Sequence, residues 1–429
     1  MIEHKRFSMF LLTLIVLANI GFISFDQSGI ENQVGAINPQ SVYRVFLFII
    51  IGFMLIVSFS FRKTIILVNP KKSLAATRRR SYSMTLEYLL LTSFALSLVL
   101  NVSPGDLILG AYRLVEWVIL LVLCYSIFSK VSATSNDPHK AIELSVKFFK
   151  IVASVPVGIV LVAAVFAPEL AWTTYYSESY VVRFGGILTG PNGLALLAGI
   201  GSIFFLFGSS SKIAKAWGIG LFFVVILTYS RGGIAGAIVS IAYLQMAKKS
   251  RRSQFAFLGG AFLLAGVIFL SIDGEFFASF TRLLSRGDSS INLSSLNSRT
   301  NVWEAGFTGF LDAPFLGHGF IAGPKLLGTW VNQDWWRPMH AHNEFLNSAI
   351  AGGSVALILI SIIYVKISYR LYKLKAAKVV PPIFIASWIQ LVFYAFLTPI
   401  LSHVVTSASI MFIMLSVSIS SIYRASIRK

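Results

Sequence analysis

His340 and His342 flank a single alanine, and Asn343 follows just before an apolar run that begins Phe345-Leu346. Imidazole gains and loses its proton near neutral pH, so a histidine pair at the mouth of a helix is a candidate general base. Arg183, Arg231 and Arg299 stand upstream, and Arg337 lies just before the pair. A guanidinium is planar, forked and always charged, which suits bidentate binding of phosphate or carboxylate. A base beside such cations can deprotonate a hydroxyl while an anionic group is held or expelled. Trp303, Trp330, Trp335 and Trp336 add aromatic faces of the kind that pack on sugar rings, and an interfacial aromatic belt uses the same residues.

The elements that must position these residues are set by composition. With 56% hydrophobic and 12% charged residues, and a mean hydropathy of +0.77, the chain has too little polar surface to cover a soluble globule of 429 residues. Apolar runs long enough to cross a hydrocarbon core of about 30 Å fall near 7–25, 44–61, 85–102, 107–128, 147–168 and 187–207. Others follow near 217–229, 232–246, 255–272, 345–368, 380–399 and 404–422. The expectation is an all-α polytopic membrane protein of about 12 transmembrane helices. Residues 1–272 form spans 1–9, residues 273–344 form one large external loop containing short helices, and residues 345–429 form spans 10–12. Nearly every residue named above falls in that loop or beside it.

Charge placement orients the bundle. With a cytoplasmic N-terminus, 25 of the 36 Lys and Arg fall in inside loops and 7 in outside ones, as the positive-inside rule requires, so both termini are expected in the cytoplasm. The net charge of +19 is thus topological and implies a lipid bilayer as partner, not nucleic acid. Six of the seven outer cations are Arg, which points to an anionic substrate on the outer face; pairing with outer acids accounts for any single one equally well. The short basic start and apolar run lack a small-residue cleavage site, so the first span is expected to be uncleaved.

Several local patterns carry structure, chemistry or both. Arg113 and Glu116 lie i,i+3 inside a span, either as a neutralising pair or as a functional one. Ser132 to Ser145 reads as a connector. Gly190-Pro191-Asn192 interrupts helix at the start of a span, which is tolerated only where backbone is buried or lines a cavity. Ser230-Arg231-Gly232 marks a hairpin tip where tightly packed helices would hold a rigid anion receptor. Arg299 to Gly309 reads as a short helix with Asn297 or Ser298 as N-cap, and Pro314, Gly317 and Gly319 force an irregular turn. Asn343 is placed to cap or orient. Cys124 is alone, so no intramolecular disulfide or thiolate metal site forms. His318, His340 and His342 match no metal spacing.

Gly190-Pro191-Asn192 with Leu194-Ala195, Ser230-Arg231-Gly232, Ser298-Arg299 with Trp303, Pro314, Gly317 and Gly319, then His342-Asn343 with Leu346 and Gly353 together resemble the O-antigen ligase and Wzy-type polymerase superfamily, over roughly residues 180–360. The resemblance implies a GT-C-like membrane glycosyltransferase of the bacterial inner membrane. It would move a glycan from undecaprenyl diphosphate to an acceptor hydroxyl on the periplasmic face, with no metal or other cofactor. Its catalytic residues would be His342, Arg231 and Arg299. Arg183, Asn192, Trp303, Trp336, Arg337, His340 and Asn343 would bind substrate. The acceptor is another lipid-linked glycan for a polymerase and lipid A-core for a ligase, and the His340 to Leu346 run leans to a polymerase. Other membrane proteins of polysaccharide assembly are expected partners. His340 departs from the pattern in which one histidine precedes Asn, so either imidazole can be the base. A lipid-linked oligosaccharide flippase is the alternative of another class; against it, the long loop has no counterpart in the first half of the chain, whereas many transporters are built from matching repeats.

Overall fold

The computed structural model describes residues 85–101, 104–133, 138–175, 181–185, 190–247, 299–331 and 340–427, with isolated positions at 43, 46–47, 49–54, 249 and 338. The expected spans at 7–25 and 255–272, most of 44–61, Trp336, Arg337 and the caps Asn297 and Ser298 lie outside the described residues. The fold is mostly helical, as composition requires. Among the described residues, four helices are long and apolar enough to cross a membrane, over Asp106–Ser126, Pro138–Phe166, Glu344–Ala376 and Ser407–Ser426.

The described chain divides into two compact units. The first comprises 1–156, 302–380 and 395–429. Its elements are α1 (Thr85–Asn101), α2 (Pro104–Ala133) and most of α3 (Pro138–Phe166), then most of α7 (Arg299–Asp312), α8 (Ala322–Trp330), α9 (Glu344–Ala376) and α11 (Ser407–Ile427). Within it α9 packs on α1, α8 and α11, and α2 packs on α1 and α11. Proline opens both α2 and α3, where its missing N–H costs nothing and its fixed φ suits a helix. The stretch over Ser132 to Ser145, expected as an amphipathic cytoplasmic connector, is helical from Pro138, where α3 begins; α3 runs to Phe166 through an internal Pro156.

The second unit comprises 157–301 and 381–394. It contains the hairpin β1 (Trp172–Tyr175) and β2 (Val181–Phe184), then α4 (Pro191–Phe207), α5 (Lys212–Leu227), α6 (Arg231–Met246) and most of α10 (Pro382–Ala395). The hairpin is the one departure from an all-α fold among the described residues. Its strands pair antiparallel with Trp172 opposite Phe184 and Thr173 opposite Arg183, and the Trp172 and Phe184 rings meet at 4.8 Å. Aromatic and β-branched residues favour this pleated pairing. α4 packs on α5 and α6, and Phe204 meets Phe384 of α10 edge to face.

α9 is broken at Gly352–Gly353, where the backbone leaves helical geometry. A break at membrane depth frees polar groups that need partners. The partners are at hand: Ser97 Oγ donates to Ala351 O at 2.7 Å, His318 N donates to Ile350 O at 2.8 Å, and Ser354 N donates to Pro314 O at 2.7 Å. The turn after α7, marked by Pro314, Gly317 and Gly319, thus seats on the kink. A Cβ on Gly353 (φ 66°) would lie 2.2 Å from the Phe315 backbone, and one on Gly317 (φ 67°) would lie 2.5 Å from Ile350 O. Gly353→Ala is therefore expected to cost about 3 kcal/mol or more, measured as a fall in the melting temperature of the purified protein. Gly158→Ala, with open space around its Cβ, should leave the melting temperature in place.

Candidate functional site

In the first unit the site is built around the N-terminus of α9. Asn343 has extended backbone (φ −157°) and its side chain accepts from Phe345 N and Leu346 N, so it is the N-cap. Before it, His342 adopts φ 48°, a left-handed conformation uncommon outside glycine and concentrated at functional positions. Ala341 is fully buried in an apolar cluster with Val302, Leu327, Val331 and Ile350. Its carbonyl accepts from Trp303 Nε1 at 2.9 Å, and its N–H donates to Asn347 Oδ1 at 3.0 Å. The alanine is therefore clamped, and the histidines on either side are held partly exposed.

The two rings sit 4.1 Å apart, edge to face. His342 N donates to His340 Nδ1 at 3.2 Å, so the neutral His340 ring carries its proton on Nε2. A third imidazole, His403, lies 5.1 Å from His340, also edge to face. It is buried, at 5% exposure, and its carbonyl accepts from Trp117 Nε1 at 2.7 Å. Motif reasoning misses His403. The available signal is that it falls in the short break between the apolar runs 380–399 and 404–422, on the same expected side as the large loop.

Two side chains of α9 stitch that break to the site. Asn347 Nδ2 donates to Ser402 O at 2.7 Å and meets Ser402 Oγ at 3.1 Å. Glu344, fully buried, accepts from Ile400 N and from Leu401 N through Oε2. One turn of α2 closes the same side. Arg113 Nη1 meets Glu116 Oε2 at 2.8 Å with both side chains buried, and Tyr112 Oη donates to Glu116 Oε1 at 3.1 Å. Arg113 and Glu116 thus form an ion pair within one helix. Arg113 shares a helix face with Trp117, four residues on.

The second unit holds the other described candidates. Arg183 on β2 is buried. It donates from Nε to Thr228 O at 3.0 Å and from Nη2 to Asn192 Oδ1 at 3.1 Å. Ser230 Oγ donates to the same Asn192 oxygen at 2.9 Å and accepts from Gly233 N at 3.2 Å, capping α6. Arg231 is the first residue of that helix, and Tyr229 before the cap is left-handed at φ 49°. Gly190 and Pro191 do not interrupt a helix but begin one, as N-cap (φ 67°) and first residue of α4. Arg299 opens α7, whose observed range extends the expected one to Asp312; Trp303, further along that helix, belongs to the first unit.

His318 is engaged elsewhere, its Nε2 lying 2.6 Å from Gly309 O and its ring 5.1 Å from Trp330. Among the described residues no three His, Cys, Asp or Glu side chains converge as a metal set.

These features define an integral membrane protein with a histidine-centred polar site at a helix mouth. Residues 216–361 of the 429 match the family model for O-antigen ligase, which supports the resemblance to the O-antigen ligase and Wzy-type superfamily. The matched stretch contains Arg231, Arg299, Trp303, His340, His342 and Asn343. Arg183, Asn192 and His403 fall outside it. No curated protein matches the chain.

Two substitutions test how the site is held. Asn347→Leu removes the partners of Ala341 N and Ser402 O together and should cost about 3 kcal/mol or more, seen as a lower melting temperature. Asn192→Ala should cost about 1–3 kcal/mol in the same measurement. Asn192→Asp, which keeps an acceptor for Arg183 and Ser230, should lose less.

Proposed function

We propose that this protein is a metal-independent, inverting membrane glycosyltransferase working on the outer face of the bacterial inner membrane. It transfers a glycan from undecaprenyl diphosphate to an acceptor hydroxyl. His342 carries this reading: it lies inside the stretch matched to the O-antigen ligase family, in a left-handed conformation between a clamped alanine and a helix cap.

A sugar joined through diphosphate has a leaving group that is already a stable anion, so it needs charge stabilisation more than protonation. Arg231 and Arg299 supply this. Arg231 opens α6, where free backbone N–H groups also favour an anion, and a cation is otherwise unfavourable at that helix end. The acceptor hydroxyl is a poor nucleophile until a base takes its proton. His342 is that base; the backbone N–H of His342 occupies Nδ1 of His340, which leaves His340 to orient its neighbour. The new bond forms between the acceptor oxygen and the anomeric carbon as the bond to the diphosphate oxygen breaks. Direct displacement inverts that carbon. Trp336 and Arg337 extend the binding surface for sugar and anion, and the bundle holds the polyprenyl tail. The acceptor is preferentially another lipid-linked glycan, giving an exopolysaccharide or O-antigen polymer; lipid A-core is the ligase alternative.

Complementation of a deletion strain with His342→Ala, Arg231→Ala and Arg299→Ala, read as polysaccharide on gels at matched membrane levels, tests the proposal. All three should yield no product. Loss of long polymer identifies a polymerase, and loss of glycan on lipid A-core a ligase. Normal product from His342→Ala overturns the base assignment and favours a flippase.

A further inference from the structure

Three imidazoles meet in the first unit, and the third belongs neither to the motif set nor to the matched stretch. His403 comes from the break before α11, about sixty residues beyond His342. Its ring stands edge to face with His340 at 5.1 Å, and His340 stands edge to face with His342 at 4.1 Å. One side chain, Asn347, holds both backbones: Oδ1 takes the N–H of Ala341, between the first two histidines, and Nδ2 binds the carbonyl of Ser402, next to the third. Trp117 fixes the carbonyl of His403 itself, and Glu344 fixes Leu401. His340 is thereby held on one edge by the N–H of His342 and on another side by the ring of His403.

We propose that His403 is a positioning residue for the transfer reaction, acting through His340 to fix the ring of His342. This rests on the reading of His342 as the base. Bases in such sites work because a further group orients them, and here the orienting groups form a line, His403 to His340 to His342. When His342 takes the acceptor proton its ring becomes a cation 4.1 Å from His340. A neutral aromatic neighbour favours such a cation. The proton leaves to water after transfer, as the acceptor oxygen bonds to the sugar and the polyprenyl diphosphate departs as an anion.

The test is a double-mutant cycle on the purified full-length protein, with lipid-linked glycan extracted from membranes of the deletion strain as substrate. His403→Ala should lower kcat about 10-fold or more with KM for the lipid-linked glycan within about 2-fold of wild type. In a His340→Ala background it should lower kcat no further, because its effect runs through His340. If His403→Ala does not fold, His403→Gln takes its place with the same expectation. Wild-type kcat, a loss that falls on KM, or losses that multiply in the double mutant overturn the proposal. His342→Ala in the same assay separates the two ideas: if it is active, the base assignment has failed; if it is inactive while His403→Ala is normal, only the positioning role has failed.

Discussion

The histidine site of the first unit depends on one buried carboxamide. Asn347 has an acceptor oxygen and two donor hydrogens, and it places them on Ala341 N, Ser402 O and Ser402 Oγ. No apolar side chain of this size could do so, and a carboxylate would face the Ser402 carbonyl with like charge. In an apolar surrounding each of these bonds is stronger than in water, and each group left alone would be costly. Two irregular segments that share no regular secondary structure therefore keep a fixed separation. That separation sets the spacing of His403 from His340 and His342.

The same short stretch of α9 is braced at its other end. Between the cap at Asn343 and the break at Gly352–Gly353 lies a rod of about two turns. Glu344 and Asn347 grip the segment before α11, and the carbonyls of Ile350 and Ala351 grip the turn after α7 and the hydroxyl of Ser97. A helix interrupted within an apolar layer would be a weakness if its freed groups lacked partners. Here they are the attachment points for a polar loop that must be held still.

How much of this is legible in the sequence follows from how local each interaction is. Asn343 as cap, the turn at Gly317 and Gly319 and the helix from Arg299 all come from residues within a few positions of one another, where capping and φ preferences suffice; Gly190-Pro191 read as a break because the same residues that interrupt a helix also start one. The hairpin over Trp172–Phe184 was less visible, because its aromatic and β-branched residues read equally as an interfacial belt. His403 has no repeat or spacing that marks it out, since its relation to His340 is made by Asn347 across more than fifty residues. That Arg113 and Glu116 pair with each other at 2.8 Å follows from their i,i+3 spacing on one helix. The family resemblance supplied the class; it did not supply the third histidine.

Arg183 shows how a motif residue and a structural residue coincide. A buried guanidinium on a hairpin in this family setting invites a role in binding diphosphate, yet two of its donors are committed to Thr228 O and Asn192 Oδ1. Thr228 begins the turn that ends in Arg231, and Asn192 holds Ser230, the cap of the helix that Arg231 opens. Arg183 thus fixes the backbone on both sides of the left-handed Tyr229, a conformation that persists only when its surroundings over-determine it. The bonds of Arg183 fix the backbone that leads into Arg231, the first residue of α6. His342 is held in the same manner, a left-handed residue between a clamped neighbour and a cap. Arg231 and His342 each follow or adopt a strained turn that lies against a capped helix, and that arrangement fixes backbone direction without a long rigid element.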